Sequence, residues 1–307
     1  MSGARLTEYK DLTYMGCNLC PRMCGVDRTT VTGFCGCGSR IKVARAALHY
    51  WEEPCISGER GSGTVFFSGC TLRCRYCQNS KISLGGFGKE ITPERLARIF
   101  LELQDKGAHN INLVTPTQFL LPVIEALDIA RPELCIPVVY NCGGYERAET
   151  VRALKGYVDI FLPDIKYCSS ELPRRYSLAP DYFEVACCAV SEMVKQSGPP
   201  VFGNDGMLRS GVIVRHMVLP GQRHDSMKIL EWLAEALPRD GFLISLMSQY
   251  TPYAADGDYP ELNRRVTTFE YDSVVRRAFE LGLTRGYMQE KSSAKEEYTP
   301  DFGLEGI

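Results

Sequence analysis

From residue 63 to residue 281, short apolar runs alternate with longer segments whose apolar positions recur at helical spacing. Residues 63–69 (GTVFFSG) form a β-branched and aromatic run, which predicts a buried strand. Thr92, Pro93 and Glu94 then open a helix, with a hydroxyl at the cap, proline at the first helical position and an acid in the first turn; it is predicted to run to about residue 106. The alternation continues with a strand over 111–116, a helix over 118–130, a strand over 136–141, a helix over 146–154, a strand over 158–165 and a helix over 182–196. Strands over 211–220 and 242–250 follow, separated by a helix at 226–237, and a helix over 271–281 ends the series. Short apolar strands separated by helices indicate a parallel sheet covered by helices. Six such units predict an α/β fold, a partial (β/α)6 TIM-like barrel, with an open sheet as the alternative that periodicity leaves.

Residues 1–60 break this rhythm. They are rich in Cys, Gly and turn residues, and only 41–50 has helical character. The organisation expected is a small Cys-rich, metal-binding segment over 1–60, a barrel over 61–290 and a polar, loosely ordered tail over 291–307.

Composition narrows the function classes. The 307 residues carry a net charge of −2, so there is no basic surplus of the kind that binds nucleic acid. No apolar run approaches the ~18 residues of a membrane span, and residues 1–12 lack the apolar core of a secretory signal. A cytoplasmic protein is expected. The 14 cysteines are the outlier, and in a reducing compartment clustered thiols serve metals or chemistry rather than disulfides. Cys17, Cys20, Cys24, Cys35 and Cys37 form one group and Cys70, Cys74 and Cys77 another. Cys55, Cys135, Cys142, Cys168, Cys187 and Cys188 are scattered and read as buried small hydrophobes.

The segment SGCTLRCRYCQN places Cys70, Cys74 and Cys77 as C-x3-C-x2-C directly after the first predicted strand, where α/β folds carry their active sites. Three thiolates ligate three irons of a [4Fe–4S] cube and leave the fourth open. An amino acid chelated there sets a sulfonium beside a low-potential electron donor. One electron then breaks the S–C5′ bond of S-adenosylmethionine (SAM) and releases a 5′-deoxyadenosyl radical. Cys55 as a fourth ligand would instead give a closed electron-transfer cluster or a structural zinc site.

With Tyr76 preceding the last cysteine, the motif resembles the radical SAM superfamily. The stretches GSGTVFFSGCTLRCRYCQN, LVTPTQF, VVYNCGGYE, LPDIKY, VRHMVLPG and SQYTP extend the similarity to pyruvate formate-lyase activating enzymes and their relatives, over about residues 50–290. The resemblance implies a partial barrel of the radical SAM type. It gives Tyr76 an adenine contact, partly through its backbone, and gives Asp164 and Lys166 the methionyl end of SAM. A buried ion pair is the structural alternative for those two. Where the family has a GGEP-like segment, this chain reads Val114-Thr115-Pro116-Thr117, so Thr115 and Thr117 stand as cofactor contacts or strand-end caps. Asn141 is a candidate ribose or amino-acid contact. Of Arg215 and His216 one should face inward, and His216 is the candidate cofactor contact.

Cys17, Cys20, Cys24 and Cys35 supply four thiolates for a second site, either zinc or an iron–sulfur cluster, with Cys37 able to replace Cys35. The function expected is reductive SAM cleavage followed by hydrogen abstraction from a protein or peptide, a glycyl radical enzyme among the candidates, with a reduced flavodoxin or ferredoxin as electron donor. Radical modification of a small molecule or a peptide side chain is the alternative. A non-catalytic iron–sulfur electron carrier is the alternative of another class.

Overall fold

A strand with apolar residues on both faces needs cover on both, and all six predicted strands have it. The computed structural model describes residues 11–252, 258–289 and 300–307. In chain order its elements are β1 (Ile41–His49), α1 (Pro54–Ser57), β2 (Ser62–Phe67), α2 (Ser80–Ser83), β3 (Lys89–Ile91), α3 (Pro93–Asp105), β4 (Ile111–Val114) and α4 (Leu120–Ala130). Then come β5 (Val138–Cys142), α5 (Ala148–Ala153), β6 (Ile160–Pro163), α6 (Glu171–Ser177), α7 (Tyr182–Ser197) and β7 (Val201–Phe202). The series closes with β8 (Leu208–Met217), α8 (Arg223–Ala236), β9 (Leu243–Met247), α9 (Thr268–Glu280) and β10 (Gly286–Met288).

The six predicted strands are β2, β4, β5, β6, β8 and β9. They lie side by side in that order, all parallel, and β10 continues the series beyond β9. Beyond β2 the sheet runs on through β1 and β3, each antiparallel to its neighbour, so β3 and β10 are the edges of an open barrel. The α3 start is as read: Thr92 accepts from the Arg95 amide at 3.3 Å.

Alternate positions of each parallel strand face the barrel interior. Near the strand starts, Val139, Ile160, Leu162 and Ile213 pack with Leu208 and Leu243 as an apolar floor. Two residues further on, the same faces present Asn141, Asp164 and Arg215. The barrel thus turns from oily to charged at the carboxyl ends of its strands, where ligands bind in such folds.

Residues 41–50 are not helical but form β1. Its buried positions are Ile41, Val43, Ala44, Ala46, Ala47 and His49, a sequence that mimics helical spacing. The cause is an irregularity between Val43 and Arg45, which shifts the inward face by one residue. Pairing on both sides, with β2 and β3, overrides the helix preference of an alanine-rich run. Of the scattered cysteines, Cys55 and Cys142 are buried as expected, but Cys168 and Cys187 are half-buried and Cys135 and Cys188 exposed. The last two sit on a loop and on the outer face of α7. Residues 300–307 dock against β1, with the Leu304 amide donating to Ala44 O and the Ala46 amide to Glu305 O. The remainder of the expected polar tail, 291–299, lies outside the described residues. No helix among the described residues is long and apolar enough to cross a membrane.

Candidate active site

The loop after β2 leaves the strand through Gly69, whose φ of +77° only glycine adopts without strain. A methyl there would meet Cys37 Sγ at 2.3 Å and Cys35 O at 2.6 Å, so the amino-terminal cysteines form the bed on which this loop lies. Cys70, Cys74 and Cys77 all line one cavity of about 200 Å³ at the barrel mouth. Each sulfur accepts at least one hydrogen bond: Cys70 from the Leu72 amide (3.4 Å), Cys74 from the Ser177 hydroxyl (3.1 Å) and Cys77 from the Ser83 hydroxyl (3.3 Å). Tyr167 shares a 2.7 Å hydrogen bond with Ser177 and so orients that hydroxyl. Burial, reinforced by the neighbouring thiols, pushes Cys70 up to about 12. Crowded thiols of this kind ionise when a cation draws them together, and donors aimed at the sulfurs suit metal-bound thiolates. Asn79, also on the cavity, keeps a buried side-chain oxygen without a partner among the described residues.

Cys55 does not join the three loop cysteines at the cavity. It packs with Ile56, Val139 and Ile160 in the barrel floor, away from the cavity lining.

The opposite wall is a chain of alternating charges. Lys166 Nζ donates to Asp164 Oδ2 at 2.5 Å, Arg215 Nε to Asp164 Oδ1 at 2.9 Å, and Arg215 Nη1 to Glu52 Oε2 at 3.0 Å. Asn141 bridges it, accepting from Arg215 (2.6 Å) and donating to Glu52 (3.2 Å), while Asn112 donates to the same Glu52 oxygen at 3.1 Å. Burial alone would raise Asp164, but Arg215 and Lys166 hold it below the usual carboxylate range. For Glu52 burial wins over Arg215, and its carboxyl is raised. Lys166 is raised too, because Asp164 outweighs its desolvation.

Tyr76 lines the cavity and meets Tyr167, Tyr176 and Tyr250 edge to face, at ring separations of 6.4, 6.2 and 6.0 Å. Thr115 also lines it, held in the left-handed region at φ +57° with its amide on Asn141 O. Thr117 does not reach it: its hydroxyl is buried between Tyr140 (2.9 Å) and Glu146 (2.8 Å). Nor does His216, whose Nδ1 pairs with Ile165 O at 2.6 Å on the opposite face of β8. Strand alternation therefore gives the inward position to Arg215. Glu52, which sequence reasoning missed, lies in a loop; the only hint was that Asn112 and Asn141 interrupt apolar strands and need a partner.

Glu146 is fully buried, and desolvation lifts its carboxyl to about 8 despite hydrogen bonds from Thr117 and Tyr140. Between its ordinary 4.5 and about 8 the unfolded chain is ionised there while the folded chain keeps the proton. Stability should therefore fall as pH rises through that window, by up to ~1.4 kcal/mol per pH unit, and Glu146→Gln should remove this slope. Urea unfolding at pH 5, 6.5 and 8 checks it; equal slopes for both proteins would contradict it.

The amino-terminal cysteines surround Arg28, which is 2% exposed. Its guanidinium donates to Cys37 O (3.1 Å), Gln118 O (2.6 Å) and Gly38 O and approaches Cys17 Sγ at 3.9 Å. No carboxylate pairs with it among the described residues. Cys17, Cys20, Cys35 and Cys37 are buried and Cys24 half-buried. Among the described residues no three His, Cys, Asp or Glu side chains converge on one ion position. Zinc would need its four sulfurs roughly 3.8 Å apart, given Zn–S of about 2.3 Å. Cluster thiolates bind separate irons and stand farther apart.

The family model of the radical SAM superfamily matches residues 64–233, more than half of the chain. The chain belongs to the radical SAM superfamily. That membership makes it an enzyme and implies a [4Fe–4S] cluster and SAM. Among its relatives, an uncharacterized protein of Methanocaldococcus jannaschii is 31% identical over 283 residues, covering 88% of this chain and 76% of the relative. The pyruvate formate-lyase-activating enzyme of Clostridium pasteurianum is 30% identical over 112 residues, 35% of this chain and 46% of the relative. Among solved structures, Streptococcus suis SuiB bound to precursor peptide SuiA has a TM-score of 0.49 at 12% identity, covering 72% of this chain and 46% of SuiB. Methylornithine synthase (PylB) has a TM-score of 0.47 at 15% identity, covering 78% of this chain and 68% of PylB. The C-x3-C-x2-C loop and the strand ends from β4 to β8 lie inside the radical SAM match.

Proposed function

We propose that Cys70, Cys74 and Cys77 hold the [4Fe–4S] cluster, that SAM lies across the cavity against Asp164 and Lys166, and that the reaction removes a hydrogen atom from a protein or peptide. The observation that carries this reading is the meeting of three hydrogen-bonded thiols and a row of buried charges in one cavity. When bound, the cluster supplies the single electron that cleaves the sulfonium of SAM.

The chain's own residues do the rest. Asp164 fixes the Lys166 ammonium in the cavity, where a buried cation suits a carboxylate of the ligand. Arg215 and Asn141 hold Asp164 and Glu52 in place, so the polar wall is preorganised. Tyr76 and its three tyrosine neighbours keep water from one side. Local similarity to an activating enzyme favours a protein or peptide substrate, a glycyl radical enzyme among them. A low-potential flavodoxin or ferredoxin would serve as donor.

A second thiolate centre formed by Cys17, Cys20, Cys24 and Cys35 belongs to the same reading. The buried Arg28 has no carboxylate to balance it among the described residues, which favours thiolates around it; four thiolates suit either an iron–sulfur cluster or zinc.

The test is anaerobic reconstitution, reduction with dithionite and measurement of methionine and 5′-deoxyadenosine. Both should form in equal amounts, and deuterium from a labelled peptide substrate should enter 5′-deoxyadenosine. A fully loaded, reduced protein that forms neither product would sink the proposal and favour an electron carrier. Deuterium arriving from a small molecule but from no peptide would redirect it.

A further inference from the structure

Residues 300–307 return to the barrel and seat beside the cysteine loop. Pro300 lines the cavity together with Phe66 and Val114. Phe302 is 3% exposed and packs on Ala44, Phe66, Ile82 and Val114, with its ring 5.4 Å from that of Phe66. Two of its neighbours are therefore cavity residues at the ends of β2 and β4. A third, Ile82, belongs to α2, the turn of helix that follows Cys77.

That turn has a direct hold on the cysteine loop. Ser83 donates to Cys77 Sγ at 3.3 Å, and Ile82 O accepts the Gly69 amide at 2.9 Å. Lys81 Nζ in turn donates to Phe302 O at 2.6 Å. Phe302 thus touches both the cavity floor and the element that positions one cluster thiol.

The anchor beyond Phe302 is separate from the cavity. β3 pairs with β1 only as far as Val43, and the tail takes over that edge through the Leu304 amide on Ala44 O and Glu305 O on the Ala46 amide. Arg45 grips the Glu305 carboxylate through Nε (2.9 Å) and Nη2 (2.6 Å). Gly306 then turns at φ +76°, where a side chain would meet Ala46 O at 2.1 Å.

We propose that Pro300 forms one side of the SAM cavity, that Phe302 is a positioning residue seating Phe66, Val114 and α2 so that the cofactor is gripped, and that residues 304–307 anchor both. The proposal rests on the reading of this cavity as the SAM site.

The full chain, reconstituted anaerobically, provides the test. Phe302→Ala should raise the SAM dissociation constant about tenfold, equivalent to ~1.4 kcal/mol of binding, with iron content unchanged and kcat at saturating SAM little altered. Phe302→Leu should recover most of the affinity. Glu305→Arg, which leaves the cavity untouched, should weaken SAM binding in the same direction, and the swapped pair Arg45→Glu with Glu305→Arg should restore it. Wild-type affinity in both Phe302→Ala and Glu305→Arg, at equal iron content, overturns the assignment. A wild-type protein that binds no SAM overturns the underlying reading and the wall with it.

Discussion

Cys74→Ala should reduce SAM cleavage to the uncatalysed background and remove the iron of the barrel site, whereas Cys55→Ser should leave both near wild type. The contrast follows from position. Cys74 lines the cavity with its sulfur held by Ser177, while Cys55 lies in the apolar floor among Ile56, Val139 and Ile160. With one thiolate missing, two irons lack protein ligands and the cube is no longer gripped on three corners. Ser177→Ala is the subtler companion. It keeps the sulfur but deletes its hydrogen bond, which stabilises the more negative, reduced cluster. Its midpoint potential should fall while iron content holds, as redox titration followed by electron paramagnetic resonance would show. Loss of cleavage in Cys55→Ser equal to that in Cys74→Ala would return the fourth-ligand reading.

Arg215→Met should destabilise the protein by about 3–5 kcal/mol, the cost of removing one partner from buried charges. Arg215 is the shared cation of Glu52 and Asp164 and also donates to Asn141. Its loss leaves two buried carboxylates with only Lys166 and amides to satisfy them. Both carboxyls would then titrate higher than in the wild type. The deficit should therefore be smallest at low pH, where they are protonated, and should grow as pH rises. Adding Glu52→Gln to Arg215→Met should recover part of the loss, and a double-mutant cycle gives the coupling. Arg215→Lys should fall between, because an ammonium cannot reproduce the planar fork that reaches three partners. Thermal melts at pH 5 and 8 decide it: a pH-independent loss would mean that packing, not charge, is what Arg215 supplies.

The parallel half of the fold was open to reading because its strands are buried on both faces, as in VVYNC and IFLP, and burial of that kind leaves a continuous apolar run. β1 was misread because an irregularity moved its pattern off alternation. The short elements α6, β7 and β10 carry too few residues to show a period. At the site, Asp164 with Lys166 and the cysteine loop were visible as local spacings. Arg215 against His216 was a choice of face, settled only once β8 was set beside β6 and β9. Glu52 was invisible for a different reason: its partners Asn112, Asn141 and Arg215 lie 60, 89 and 163 residues away. Loops carry no periodicity to reveal such contacts.

The grip of Arg45 on Glu305 spans 260 residues of sequence. On the ribosome, where chains emerge at about 5–20 residues per second, residue 45 waits at least ten seconds or so for its partner. By the time residue 217 has been made, the cysteine loop and the strand ends from β2 to β8 exist while residues 300–307 do not. At that stage the cavity is open on the side that Pro300 and Phe302 later cover. Order of synthesis alone thus makes the cavity first and its Pro300 side afterwards.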